Sequence, residues 1–500
     1  MNYKITREKL FLAAGLVLIA LCVCMTSPLN PLSGGVPQTD SSAFLTIAQG
    51  ILRGKLPYVD FFDHKGPLIY FINAIGLSMG GLIGVWLLEW FFMFVSVCFA
   101  YKTARFFSGK MVSFLAAGFS FIVLSRFLQG GNLTEEYALP FIFISLYIFT
   151  RYCFTQIEPD KVQLTILGVS FGAILLLRPN MFGVWFSFCI VIFIRKLLLK
   201  EYKTLFGYFL FFIIGISIVI LPAILFLYTK NAYNDFIYQY IIFNSSFFVR
   251  SPAQLLTLSF MFNIDAVINL NCVCLSLIVA IIWLTKRLRN KEYIFYIAYL
   301  ISLLTSVFLI VLSGDRHEHY YLPLVPLFVP VFSFCIDKLF LIFSTSRYNI
   351  IKYGIPVMIL LIFVNHDISH AGYRILINGL TSKAEEEYRQ AGTIIDLITD
   401  EEDTISVLGN SCTVYLYTKR NSASKYIYQL PIAEYSIKAK NEYLSDILTQ
   451  KPKALIISSA FYDWVMSSGI FTSILSMIDN EYAEIFKSNN LAIYSRYTSN

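Results

Sequence analysis

The chain has 500 residues, of which 57% are hydrophobic, 17% aromatic and only 14% charged. Soluble domains carry about 45–50% apolar residues, so this composition excludes an ordinary water-soluble enzyme. The net charge of +7 is scattered over short loops between apolar runs, which excludes a nucleic-acid-binding surface and leaves a polytopic membrane protein.

Apolar windows long enough to cross the bilayer recur along the chain. They predict about eleven transmembrane helices, near 9–28, 81–101, 111–128, 136–154, 163–178, 181–194, 204–228, 263–285, 292–313, 320–341 and 350–366. The first is too long, and too poorly followed by small residues, for a cleaved leader. It reads as an anchor. The fifth and sixth are short, and Pro179-Asn180 between them predicts a tight hairpin. With the N-terminus in the cytoplasm, most Lys and Arg fall in cytoplasmic loops and the C-terminus is extracytoplasmic. Nine cysteines lie mostly within apolar runs and show no disulfide framework.

The first external loop, 29–80, is the polar centre of the sequence. Phe44, Leu45, Ala48, Ile51 and Leu52 recur at helical spacing and predict an amphipathic interfacial helix over 41–54. A second interfacial helix is predicted over 67–79, with Pro67 near its start. Asp40 precedes the first of these. It suits a helix N-cap, and equally a catalytic base, because a helix N-terminus holds a carboxylate in its charged form. The run Tyr58, Asp60, Asp63, His64, Lys65, Gly66, Pro67 is dense in charge between aromatic rings. A lysine beside a helix start can bind a lipid phosphate.

Further polar groups collect on the same external side. Glu135 and Glu136 open the fourth span after Gly130-Gly131-Asn132, as caps or as acids that orient a sugar or acceptor hydroxyl. Arg178 sits at the hairpin, where an arginine requires a partner or water. Arg316, His317, His319 and Tyr320 lead into the tenth span. His317 and His319 are two residues apart and point different ways, which disfavours a metal, whereas the fork of Arg316 suits phosphate oxygens. The aromatic loop 229–262 reads equally as a lid or as an interfacial aromatic belt. From about 368 onward acidic residues outnumber basic ones. A helix over 384–398 and short strands at Ile405–Leu408, Ala454–Ser458 and Leu491–Tyr494 predict a small soluble α/β domain, 368–500, following a transmembrane domain, 1–367.

This layout resembles the GT-C membrane glycosyltransferases, most closely the bacterial relatives of protein O-mannosyltransferases and of the lipid A aminoarabinose transferase. Four features in order carry the resemblance: Asp40 after the first span; Lys65-Gly66-Pro67 in place of a Lys-Pro-Pro; Glu135 or Glu136 at the external start of a later span; and His319-Tyr320-Tyr321-Leu322-Pro323 opening a late span. The family often has Asp-Glu at the first acid, where this chain has Asp40-Ser41, a departure that bears on the sugar and acceptor more than on the reaction class. The resemblance implies a polyprenyl-phosphate sugar donor, an extracytoplasmic acceptor, inversion at the sugar, Asp40 as base, and a bacterial plasma-membrane enzyme of cell-envelope biogenesis. No cofactor is implied, and a divalent metal is the lesser reading. Lys65, Arg178 and Arg316 are the candidate positive charges around the phosphate. A flippase or transporter of lipid-linked sugars and a polysaccharide ligase are the rival readings.

Overall fold

The computed structural model describes residues 2–37, 39–247, 267–287, 292–313, 317–418, 420–430 and 432–497. Arg316 and the 248–262 part of the aromatic loop lie outside the described residues. The chain is mainly helical with one small sheet near the C-terminus. Helices α1 to α8 are Asn2–Cys24, Thr39–Leu52, Leu68–Ala104, Lys110–Phe127, Thr134–Thr155, Lys161–Leu177, Gly183–Leu198 and Tyr202–Thr229. Among the described residues, six helices are long and apolar enough to cross a membrane, or seven if one bent pair is a single span.

The chain divides into two compact units. The first takes in Met1–Thr26, Leu87–Leu225 and Phe248–Arg374, and holds most of the apolar helices. Its helices meet through small residues. Gly168 on α6 and Gly215 on α8 lie so close that a Cβ on either would strike the other helix's backbone, the close approach that membrane helices use in place of a hydrophobic driving force. The hairpin forms as expected, with α6 ending at Leu177, a 3₁₀ turn over Pro179–Met181 and α7 beginning at Gly183.

The helix expected over 350–366 runs from Ile350 to Phe363, three residues short of its expected end. Ile355–Phe363 and Asn365–Tyr373 are separate helices, and the bent pair turns by 57°. Val364 between them has φ −97° and ψ 8°, outside helical geometry. The helices of this unit also bury a pair of carboxyl groups. Glu89 on α3 is fully buried and hydrogen-bonds the side chain of Glu136 on α5.

The second unit comprises Ser27–Trp86, Phe226–Phe247 and Ile375–Asn500. Helix α2 forms where the amphipathic pattern placed it. Helix α3 starts at Leu68, after Pro67, and its regular geometry breaks at Gly80 and Gly81, the latter at φ 64°, which glycine adopts without steric cost. The sheet has five strands, β1 Thr404–Leu408, β2 Asn421–Ser422, β3 Ala454–Ser458, β4 Tyr482–Lys487 and β5 Leu491–Arg496, in the order β2-β1-β3-β5-β4. β3 pairs parallel with β1 and antiparallel with β5, and every residue of it is buried. Such a central strand reads as an unbroken apolar run. β2 and β4 carry no such run and are absent from the sequence expectation.

Candidate active site

Asp40 is the second residue of α2 and half-buried. It therefore stands in the first helical turn, inside the cap position, where the helix dipole favours a carboxylate. The next turns carry Ser42 and Thr46, both buried. The Cys412 N–H donates to Ser42 Oγ at 3.2 Å, and Thr46 donates to the Cys412 carbonyl at 3.3 Å. The α/β region thus hydrogen-bonds directly to α2 within two turns of Asp40, through residues that helical spacing puts on the side away from it.

The charged run folds into a tight, tied loop. Tyr58 is 1% exposed and has φ 70°, a left-handed conformation costly for a tyrosine. Two contacts hold it there: its hydroxyl donates to the Lys65 carbonyl at 2.8 Å, and its own carbonyl accepts from Gln239 Nε2 at 2.6 Å. Gln239 Oε1 accepts the Asp63 N–H at 3.0 Å, and Asn244 Nδ2 donates to the His64 carbonyl at 2.7 Å. The described part of the aromatic loop therefore packs on this segment. Phe236 meets the Tyr58 ring at 5.2 Å, and Phe243 meets Phe62 at 5.3 Å. Asp60 faces outward and caps the loop by accepting from the Leu56 N–H at 2.6 Å.

Asp63 is the buried centre of this group, at 1% exposure. Its Oδ1 accepts from the Lys65 N–H at 3.2 Å and from the Tyr428 hydroxyl at 2.8 Å. His64 Nδ1 lies 3.8 Å from the same oxygen, and Lys65 Nζ lies 3.2 Å from His64 Nε2. Burial raises the Asp63 carboxyl above the usual carboxylate range, while Lys65 and the Tyr428 hydroxyl pull it back. Asp40 is within electrostatic reach of both Asp63 and Tyr428. Burial, reinforced by the Asp63 charge, pushes the Tyr428 phenol well up, so it stays a proton donor. Tyr428 is the residue that sequence reasoning missed. It lies in a loop of the α/β region, with no local signal to mark it.

A second polar group sits in the first unit. Between α4 and α5, Gln129, Gly130, Gly131 and Asn132 all have positive φ. The Gly-Gly pair permits this sharp reversal, which delivers Glu135 and Glu136 to the start of α5. Glu135 is 2% exposed. It is hydrogen-bonded and ion-paired to Arg178, and it accepts from Thr134 Oγ1 at 2.6 Å. The Arg178 guanidinium also lies over the Tyr320 ring, 3.9 Å from its centre. His319 Nε2 is 3.9 Å from Glu135, and its Nδ1 is 2.6 Å from Gln129 Oε1. His317 is exposed, and its ring stacks on His319 at 5.3 Å. Glu135, Arg178, Asn180, Ser306 and Tyr320 line a cleft. Glu136 turns away from this cluster toward Glu89. Among the described residues, no group of three His, Cys, Asp or Glu side chains is arranged to hold a metal ion.

Comparisons with known proteins agree with this architecture. A family model described as "Putative competence-induced protein Ccs4 N-terminal domain" matches residues 3–366. No curated protein matches the sequence. Among solved structures, apo ArnT from Cupriavidus metallidurans superposes with a TM-score of 0.61 at 12% identity, covering 97% of each chain. The same protein bound to undecaprenyl phosphate gives 0.59 at 13% identity, covering 97% of this chain and 98% of that one. The archaeal oligosaccharyltransferase AglB from Archaeoglobus fulgidus, in complex with an inhibitory peptide and a dolichol-phosphate, gives 0.53 at 14% identity. It covers 98% of this chain and 75% of its own. The chain thus has the fold that ArnT and AglB share.

Proposed function

The chain belongs to the family of the competence-induced protein Ccs4 N-terminal domain, and from that premise and its GT-C fold we propose that it is a membrane glycosyltransferase. It moves a sugar from a polyprenyl-phosphate donor to an extracytoplasmic hydroxyl acceptor, whether an envelope glycan, a lipid or a protein. In this reading the chain crosses the plasma membrane about eleven times, with its N-terminus cytoplasmic, a transmembrane domain over 1–367 and an extracytoplasmic domain over 368–500. The undecaprenyl phosphate held by ArnT and the dolichol-phosphate held by AglB support a lipid-phosphate donor.

Asp40 is the proposed base. The acceptor O–H gives its proton to the Asp40 carboxylate, and the oxygen attacks the anomeric carbon from the face opposite the phosphate. The bond from that carbon to the phosphate oxygen breaks, and the lipid phosphate leaves with the electron pair. The sugar configuration inverts. A phosphate is a good leaving group, so one base and nearby positive charge suffice. The observation that carries this reading is the position of Asp40: half-buried in the first turn of α2, within electrostatic reach of the Asp63–Tyr428 pair. Lys65 and His64, with Asp63, Asp60 and Tyr58 shaping their loop, are assigned to substrate binding. Glu135, Arg178, His317, His319 and Tyr320 are the proposed substrate-binding groups of the first unit, together with Arg316, while Glu136, expected among them, faces Glu89 instead.

The test is Asp40→Asn in purified protein against a panel of radiolabelled polyprenyl-phosphate sugars, with donor binding measured in parallel. Binding retained with transfer lost supports the base. Transfer at the wild-type rate overturns it. A second reading, proton-linked movement of lipid-linked sugars, draws on the carboxyl pair Glu89–Glu136 buried between α3 and α5. It is favoured if Asp40→Asn still moves substrate across vesicles while Glu89→Gln does not.

A further inference from the structure

The bend at Val364 turns helix Asn365–Tyr373 so that it packs against α4. Asp367, His370 and Arg374 follow one another at i, i+3 and i+7, which places them on one helical face. Asp367 is 2% exposed and faces Arg126, in the last turn of α4, which is 8% exposed. Arg126 Nη1 and Asp367 Oδ1 are 3.8 Å apart, too far for a hydrogen bond. Both atoms are buried without a hydrogen-bond partner among the described residues, and so are His370 Nδ1 and Arg374 Nη1. His366 stacks on His370, and Glu318 is within electrostatic reach of His370 and Arg374.

A buried donor or acceptor left unmade costs about 1–3 kcal/mol, and more when it is charged. Four such atoms in one cluster, two of them guanidinium nitrogens, describe a site that a ligand completes. We propose that Arg126, Asp367, His370 and Arg374 form a second binding site, which takes a phosphate group with a neighbouring hydroxyl. The two guanidinium groups and the His370 ring offer donors to the phosphate oxygens, and planar guanidinium groups match that geometry. Asp367 accepts from the hydroxyl. The opposite charges of Asp367 and Glu318 leave the cluster close to neutral, so a hydroxyl-bearing phosphate suits it better than a bare polyanion. This chemistry belongs equally to a glycerophosphate lipid headgroup and to a soluble sugar or glycerol phosphate. None of the four residues takes part in the glycosyl-transfer reading, and the assignment does not depend on it.

The experiment uses the full-length protein in an uncharged detergent, titrated separately with glycerol 3-phosphate, with dihexanoylphosphatidylglycerol and with glycerol. Saturable binding of either phosphate compound, weakened at least about tenfold by Arg374→Gln and by Arg126→Gln, supports the site, since a charge-assisted bidentate contact is lost in each. Binding of the lipid alone assigns a headgroup, and binding of both assigns the phosphate-hydroxyl unit. Arg374 is only half-buried, so Arg374→Gln decides the matter should Arg126→Gln fail to fold. Equal binding by wild type and Arg374→Gln, or no binding of either phosphate compound below about 10 mM, overturns the proposal.

Discussion

The Tyr428 hydroxyl donates to Asp63 Oδ1 across 2.8 Å, joining residues 365 positions apart in the sequence. One partner belongs to the α/β region and the other to the segment between α2 and α3. Through Asp63 the same contact reaches the Lys65 backbone and the His64 ring. The α/β region is therefore part of the candidate site's construction.

Tyr428→Phe removes one donor from a carboxylate that stays buried. The expected cost is about 1–3 kcal/mol of stability, the penalty for leaving a buried acceptor short of a partner. Denaturant unfolding in detergent measures it. On the glycosyl-transfer reading, turnover falls while Tyr428→Phe still folds and still binds donor.

Asp63 sets the direction of a pH effect. Its folded-state carboxyl lies above the ordinary carboxylate range because burial disfavours the charge. The folded state therefore holds the proton more tightly than the unfolded chain. The corresponding stability is full below the unfolded carboxyl's pKa, and is lost as pH rises through the folded value. Unfolding midpoints should fall with rising pH over that window, and Asp63→Asn should flatten the slope.

Arg178 and Glu135 form a buried pair in the first unit. Arg178→Gln strands the Glu135 charge, and the expected loss is about 3–5 kcal/mol. The double substitution Arg178→Gln with Glu135→Gln removes both charges and should recover much of that loss. Thermal unfolding of these two variants, of Glu135→Gln alone and of wild type forms the double-mutant cycle that measures the coupling.

Gly168 on α6 faces the Phe212 carbonyl and Gly215 on α8 without room for a Cβ. Gly168→Leu should force these helices apart and destabilise the first unit, whereas Gly207→Ala, at an open position inside α8, should leave stability unchanged or raise it by up to about 1 kcal/mol, the helix preference of Ala over Gly. Detergent-solubilised yield and unfolding midpoint distinguish the two.

The sequence by itself determined what depends on local pattern. Apolar run length marked helices along the chain, of which six or seven among the described residues are long and apolar enough to cross a membrane, and Pro179-Asn180 marked the hairpin. Amphipathic spacing marked α2. The unbroken apolar run of β3 and its neighbours marked the core of the sheet. The clustered acids and bases between the apolar runs were also legible, because charge stands out in a chain this apolar. Tertiary structure alone decided which of these groups meet. Asp63 with Tyr428, Glu135 with Arg178 and His319, Glu136 with Glu89, and Arg126 with Asp367 are contacts between separate segments. A hydrogen bond or ion pair across such distances leaves no periodicity in either partner's neighbourhood. The edge strands were hidden for a different reason: β2 is two residues long, and β4 is half exposed and broken by Glu484, so neither forms an unbroken buried run. The division of the chain into units likewise follows contacts rather than order, since Ser27–Trp86 packs with Ile375–Asn500 across the intervening helices of the sequence.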